Sequence, residues 1–402
     1  MMSNNIDHKV ICMMPWVHMH IWPNGDAFPC CMSDSQEVFG NVHDEPIDFL
    51  INNEKFKELR RQMINGERPT ACSRCYELED TANSWTLRRN SLESFKKHIP
   101  IINETEEDGS ISEFKMRYLD IRFSNLCNMK CRTCGPSLSS TWHEDQIILH
   151  PDSTESKFID LKVNPDFMDD LKPHLDTIEE VYFAGGEALI TPQHYEVLDY
   201  WLATGRTDVR LRYTTNFSAL RYKDKKILDY WKKFKDVRVA ASLDTHGERA
   251  EYARKGTNWK NIVANRKEML RQCPDTYFEI TPTVGIFSVH SLFDFHKSWV
   301  DQGLLNIDNI RVNILTHPRH FSITILPWEE KERVKELYVK YVQWLKDNEA
   351  NESTVNAVWG IVEYMYSADH SKLIPEFQKQ IITIDFIRDE NFDEIFTELK
   401  NL

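Results

Sequence analysis

The chain has 402 residues, with 49 Lys and Arg against 63 Asp and Glu and a formal net charge of −14, a length that calls for a large domain with a smaller attachment. An acidic balance disfavours a nucleic-acid partner, because phosphates are bound by Lys and Arg that displace their counterions. No run of eighteen apolar residues is present and the N-terminus has none of the regions of a signal peptide, which excludes a spanning helix and reads as a soluble, cytoplasmic protein.

In chain order, residues 12–22 and 27–32 read as short strands around the Pro23-Asn24-Gly25 turn, followed by a helix over 48–65. This hairpin-plus-helix unit occupies 1–102. Nine cysteines are too few for a disulfide scaffold, yet eight fall in tight groups, and grouped thiols in a reducing compartment suggest metal ligands. Cys12, Cys30, Cys72 and Cys75 are four soft ligands that suit iron–sulfur or zinc. Cys31 is expected to be a buried spare thiol and Cys273 an inert one. The acidic stretch Asn103 to Glu113, with Gly109, marks a connector over 103–114.

From 115 to 327 the pattern alternates. Strand-like segments at 118–124, 180–184, 209–214, 237–243, 278–284 and 309–315 are separated by helix-length stretches, which implies a parallel sheet. The expected fold is α/β, a partial (β/α)6 TIM-like barrel of parallel strands with its chemistry at their carboxyl ends. The basic stretch 206–238, eleven Lys or Arg against four Asp, is expected to be a solvated face. Residues 328–402 read as a helical extension in which Trp328, Leu337, Tyr338, Tyr341 and Trp344 bury one face.

Directly after the first of these strands comes Cys127-Asn-Met-Lys-Cys131-Arg-Thr-Cys134, a CxxxCxxC loop. Three thiolates can hold three irons of a four-iron cubane and leave the fourth open, whereas structural zinc is normally closed by four ligands. The second strand ends in Gly185-Gly186-Glu187. Two glycines let backbone approach a ligand, and the carboxylate accepts hydrogen bonds from an ammonium group. Together these motifs resemble the radical S-adenosylmethionine (SAM) superfamily over about residues 115–327.

The resemblance implies that the open iron binds SAM and that a 5′-deoxyadenosyl radical results. It further implies that Asn216, Ser242 and Asp244, at the ends of later strands, bind the cofactor's ribose and methionine moieties, and that Arg254 pairs with its carboxylate. Thr133 stands where many members carry an aromatic residue. The N-terminal order of Cys12, Cys30, Cys72 and Cys75, with Pro15-Trp16, Phe39-Gly40-Asn41 and Leu59-Arg60 around it, resembles the twitch domain, a shortened SPASM domain. It implies an auxiliary four-iron, four-sulfur cluster, here ahead of the core where such domains generally follow it.

The implied function is hydrogen abstraction from a substrate carbon, with the auxiliary cluster accepting an electron, in oxidation, dehydrogenation or crosslinking of a small molecule or peptide. Implied partners are that substrate and a reductase, flavodoxin or ferredoxin-type electron donor. His18, His20, His317 and His320 are candidates to line a pocket, but none is assigned a catalytic role. Two rival readings are a non-catalytic iron–sulfur redox sensor or partner-binding protein, which the GGE, Asn216, Ser242 and Arg254 around the cysteine loop argue against, and a radical RNA-modifying enzyme, which the acidic charge disfavours.

Overall fold

The computed structural model describes residues 8–82, 86–400 and 402. Two compact units are formed, the first by the chain through Asn125 with Phe158–Arg212 and Phe234–Asp236, the second by Leu126–Lys157, Tyr213–Lys233 and Val237–Leu402.

In the first unit, the strand expected over 12–22 starts only at His18. Pro15, with its fixed φ and missing N–H, suits the first turn of a helix, and Met14–Val17 is helical. Strand β1, His18–Ile21, then pairs antiparallel with β2, Asp26–Phe28, and β2 with β3, Gly40–Asn41. The helix expected over 48–65 is interrupted, with a turn at Ile47–Leu50 followed by α1, Glu54–Ile64. Asn53 makes the break, since its side chain accepts from the N–H groups of Lys55 and Phe56, both at 3.1 Å, a cap that contributes about 1 kcal/mol. Helices α2, Ser73–Ala82, and α3, Leu87–Ser94, follow.

Residues 103–114 do not hang free. Asp108 pairs with Lys57 of α1 at 2.8 Å and its carbonyl accepts from Arg61 at 3.0 Å. After them come β4, Tyr118–Ile121; α4, Phe167–Leu175; β5, Glu180–Phe183; α5, Pro192–Ala203; and the first half of β6, Arg210–Thr215. β4 lies between β5 and β1, parallel to both, with Asp120 opposite Tyr182 on one side and His20 on the other. The N-terminal hairpin thus continues the parallel sheet. Met19, Ile21, Leu119, Ile121, Val181 and Phe183 share one face, each at most 1% exposed. Burial of each such side chain contributes about 1.5–3 kcal/mol, which fixes the register, because a one-residue slip would exchange this apolar set with the buried polar His18, His20 and Asp120 of the other face.

The second unit holds the last half of β6, then β7, Val237–Ala241, between it and β8, Tyr277–Ile280. β7 and β8 run parallel with Val239 opposite Phe278. Helices α6, Gly247–Ala253, α7, Trp259–Gln272, and α8, Leu292–Asp301, connect them onward. The expected sixth strand shrinks to Asn313–Ile314, parallel to Thr283–Val284. Pro282, which has no N–H to donate, interrupts the ladder just before that pair, and only its carbonyl is used, by Asn313 N–H at 2.9 Å.

The C-terminal helices are α9, Trp328–Asp347, α10, Glu352–Tyr366, and α11, Ile374–Arg388. On α9 the buried stripe is Val334, Tyr338, Tyr341 and Leu345. Trp328 is 65% exposed, because it opens the helix before the packed turns begin. Among the described residues no helix is long and apolar enough to cross a membrane.

Candidate functional site

In the second unit, Cys127 and Cys131 are buried around Met129, with Cys134 packed against them. The loop is held by its own backbone. Lys130–Cys131 pairs antiparallel with Arg254–Lys255, Trp142 Nε1 donates to the Cys131 carbonyl at 2.7 Å, and the Cys127 N–H donates to Ser140 Oγ at 3.2 Å. Gly256 has φ +103°, and a Cβ there would meet the Asn128 carbonyl oxygen at 2.7 Å, so only glycine lets the two segments approach this closely. A hydrogen bond from Cys134 pulls the Cys131 thiol down to about 7, helped by Arg254 against the effect of burial, while Cys134 is driven up by the same bond and by burial. The hydrogen bond and Arg254 thus both favour the thiolate at Cys131, the form that ligates metal.

Four of the sequence-predicted cofactor residues belong to this unit. Arg254 forms a bidentate ion pair with Asp244, at 2.7 and 2.9 Å, and turns Nη1 to Cys131 Sγ at 3.7 Å. Burial alone would lower the Arg254 pKa, but the charges of Asp244 and Cys131 outweigh it. Asp244 also accepts from Thr283 N–H at 2.7 Å. Asn216 Nδ2 reaches Asn128 Oδ1 at 2.9 Å and Cys127 Sγ at 3.9 Å. Phe217, next to it, is held at φ +57°, where non-glycine residues are uncommon and functional sites concentrate. Ser242, half-buried, donates its N–H to the Thr215 carbonyl at 2.8 Å.

Gly185, Gly186 and Glu187 belong to the first unit. Gly185 has φ +117°, and a Cβ would lie 3.0 Å from the Ser124 carbonyl oxygen, to which Gly186 donates at 3.1 Å. Glu187 is 2% exposed and accepts from Leu189 N–H at 3.0 Å.

Cys12, Cys30, Cys72 and Cys75, also of the first unit, line one small pocket of about 20 Å³ with Met32, Tyr76, Leu87 and Arg88. Asp34 N–H to the Ala71 carbonyl, at 3.1 Å, ties the Cys30 loop to the Cys72 segment, and Cys12 Sγ touches Ser91 Oγ at 3.4 Å. Burial pushes Cys12 up to about 11 and raises Cys30 and Cys72, with neighbouring thiols adding to it. Among the described residues no three His, Cys, Asp or Glu side chains converge as the ligands of one metal ion do. The four thiols surround a space, and soft sulfur donors around a small apolar void fit an iron–sulfur cubane.

One expectation needs correction. Cys31 is exposed as a residue, but its sulfur is covered and hydrogen-bonds the Asp120 carboxylate, and burial of the sulfur and then the charge of Asp120 raise the thiol to about 12. His18 and His20 belong to a polar cluster on β1 and β4 that the sequence reading left unassembled. Arg122 Nη1 donates to Asp120 Oδ1 at 2.9 Å and meets His20 Nε2 at 3.0 Å, and His20 Nδ1 lies 3.3 Å from Asp120 Oδ2. The signal was there in His-x-His and Asp-x-Arg, period-two polar positions on strands otherwise apolar. His320 instead pairs with Glu376 at 3.0 Å, and Cys273 is buried with its thiol directed at the Leu228 carbonyl.

Residues 12–76 match SPASM, an iron–sulfur cluster-binding domain. GTP 3′,8-cyclase of Campylobacter curvus (strain 525.92) is 29% identical over 131 residues. Residues 12–76 are thus similar to an iron–sulfur cluster-binding domain of the SPASM type. The match to the cyclase covers 33% of this chain and about a third, 35%, of the relative. Among solved structures, native anSMEcpe with bound AdoMet and the Cp18Cys peptide is 13% identical with a TM-score of 0.41, covering 58% of this chain and 62% of that one. Streptococcus suis SuiB bound to S-adenosylmethionine is 16% identical with a TM-score of 0.36, covering 67% and 52%.

Proposed function

We propose that this protein is an enzyme that reductively cleaves SAM and removes a hydrogen atom from a carbon of a small molecule or peptide. The observation that carries the reading is the buried group Cys127, Cys131 and Cys134 with Arg254 set against Cys131. Three thiolates suit a four-iron cluster whose fourth iron takes the cofactor. When bound, cluster and cofactor supply a 5′-deoxyadenosyl radical. Arg254 holds positive charge beside the thiolates, which favours their ionised form, and its guanidinium is the group for the cofactor carboxylate. Asn216, Ser242 and Asp244 are assigned to its ribose and methionine moieties, and the motif assigns Gly185, Gly186 and Glu187 to its ammonium group.

Cys12, Cys30, Cys72 and Cys75 are assigned to an auxiliary four-iron cluster that accepts the substrate electron, which makes the net reaction an oxidation. Residues 1–102 then serve electron removal, 115–327 the radical chemistry, and a reductase, flavodoxin or ferredoxin the incoming electron. The test is anaerobic reconstitution with iron, sulfide and dithionite. Wild type should bind about eight irons per chain and form 5′-deoxyadenosine, and the Cys127→Ala, Cys131→Ala, Cys134→Ala protein about four irons and no 5′-deoxyadenosine. An undiminished iron count in that variant refutes the assignment.

A further inference from the structure

Lys130–Cys131 is extended and pairs with Arg254–Lys255, so neighbouring side chains leave the loop on opposite faces. Cys131 shares its side with Arg254. Of the residues flanking it, Arg132 is taken up by the C-terminal segment of the same unit and Lys130 by Asp145 of the helix that follows the loop. Arg132, with a side chain only 1% exposed, donates to Asp385 of α11 and at 2.6 Å to Glu390, and its guanidinium lies 3.6 Å from the centre of the Tyr252 ring.

A second set of contacts repeats the arrangement two residues earlier. Lys130 Nζ lies 2.6 Å from Asp145, whose other oxygen accepts from Arg388 Nε at 2.7 Å. Lys255, opposite Lys130, pairs with Glu390 at 3.0 Å. Arg388 and Asp145 are at most 1% exposed. Buried charges persist only when paired, so each loop cation is committed to its carboxylate. The end of α11 is shaped for the task. Asp389 takes the left-handed conformation at φ +52°, unusual for a residue with a side chain, and this reverses the chain so that Glu390 comes back beside Asp385, bonding its N–H to the Asp385 carbonyl at 3.0 Å. Asp385 is itself fixed from two further sides, by Tyr252 OH at 2.7 Å and Phe392 N–H at 2.7 Å.

We infer that Asp385 and Glu390 are positioning residues for the catalytic cluster: through Arg132, they lock the segment between Cys131 and Cys134 in the shape that presents both thiolates. The inference rests on the reading of Cys127, Cys131 and Cys134 as cluster ligands. It gives the C-terminal extension a function in the radical chemistry, as the reverse wall of the cysteine loop, and it adds two carboxylates to the charge held behind that loop through Arg132, a net charge on which the reduction potential depends.

The test uses the full chain, reconstituted anaerobically, as Asp385→Asn, Glu390→Gln, Asp385→Glu and Arg132→Lys. In the first two, iron should fall from about eight toward about four per chain, the residual catalytic cluster should change its electron paramagnetic resonance spectrum with SAM, and its midpoint potential should rise with the lost negative charge, while the auxiliary cluster's spectrum stays as in wild type. Asp385→Glu should restore potential and spectrum. Arg132→Lys, which keeps the cation but loses the fork, should change the spectrum with less loss of iron. Full iron with an unaltered spectrum and potential in Asp385→Asn and Glu390→Gln overturns the inference, as does loss of both clusters alike, since that assigns the residues to the fold. If the triple-cysteine variant keeps all its iron, it is the cluster reading that fails; if that variant halves its iron while the carboxylate variants behave as wild type, only the positioning inference fails.

Discussion

Arg254 and Asp244 are joined fork to fork, Nε to Oδ2 at 2.7 Å and Nη2 to Oδ1 at 2.9 Å, and the remaining amino group of the guanidinium faces Cys131 Sγ at 3.7 Å. The pair is a preformed electrostatic hinge. Asp244 orients the fork so that its third edge is presented at the thiolates, without the rotamer entropy that a free arginine would lose on binding.

Arg254→Ala should therefore weaken SAM binding while leaving both clusters in place, because Arg254 is assigned to the ligand and not to iron. Charge-assisted hydrogen bonds of this type contribute about 1.5–3 kcal/mol, or about tenfold to a hundredfold in affinity. Asp244→Asn should weaken it less, since the cation survives but loses its orientation. Titration of the cluster spectrum with SAM measures both, and an unchanged midpoint for Arg254→Ala removes the residue from the site.

The parts of the site visible in sequence are those whose chemistry is written into short spacings. Cys127, Cys131 and Cys134 lie within one loop and Gly185 and Gly186 announce a close approach, whereas Ser242 and Asp244 are implied only by the family resemblance. What the spacing did not reveal is how the charges pair. Arg132 and Asp385 are 253 positions apart, and nothing local marks either as the partner of the other. The merging of β1 with β4 was hidden for the same reason, since a four-residue strand shows its own period but not its neighbour. Pro282 illustrates the opposite case, a visible residue whose effect on strand length went unused.

Gly256→Ala should loosen the cysteine loop. The added methyl carbon would stand 2.7 Å from the Asn128 carbonyl oxygen, at a φ of +103° that alanine rarely adopts. Either the Arg254–Lys255 segment or the loop must move. Iron at the catalytic site should fall while the auxiliary cluster's spectrum is retained. A variant that binds wild-type iron at both sites would show that the loop tolerates the displacement.

Acid should destabilise the fold partly through His296, whose Nδ1 meets Tyr341 OH at 2.6 Å. Burial lowers its pKa to about 4. The unfolded chain takes up this proton near pH 6.5 and the folded chain only near pH 4, so the contribution to stability is complete above pH 6.5 and is lost as the pH falls toward 4. Between pH 7 and pH 5 the loss is about 2 kcal/mol. His296→Gln cannot be protonated, and the difference between its urea stabilities at these two pH values should be smaller than that of wild type by about this amount. Equal differences would place a charged imidazole in the folded protein.

A Cys72→Ala, Cys75→Ala protein should separate cofactor cleavage from product formation. Both thiols line the same pocket as Cys12 and Cys30, and four sulfur donors reduced to two no longer hold a cubane. On the proposed function, cleavage of SAM needs only the three-cysteine cluster assigned to the second unit, so 5′-deoxyadenosine should still form on addition of dithionite. Oxidation of the substrate needs an acceptor for the electron left on its carbon, and that acceptor is assigned to the SPASM domain, so turnover on the true substrate should stop. Destabilisation is the competing cause, because Cys75 is buried and Cys72 partly so and loss of a metal can loosen the elements it joins. Circular dichroism and the spectrum of the remaining cluster separate the two. A folded variant that still yields product at the wild-type rate makes the auxiliary cluster structural and ends the redox assignment, while a folded variant that forms no 5′-deoxyadenosine moves the domain into the path of the incoming electron.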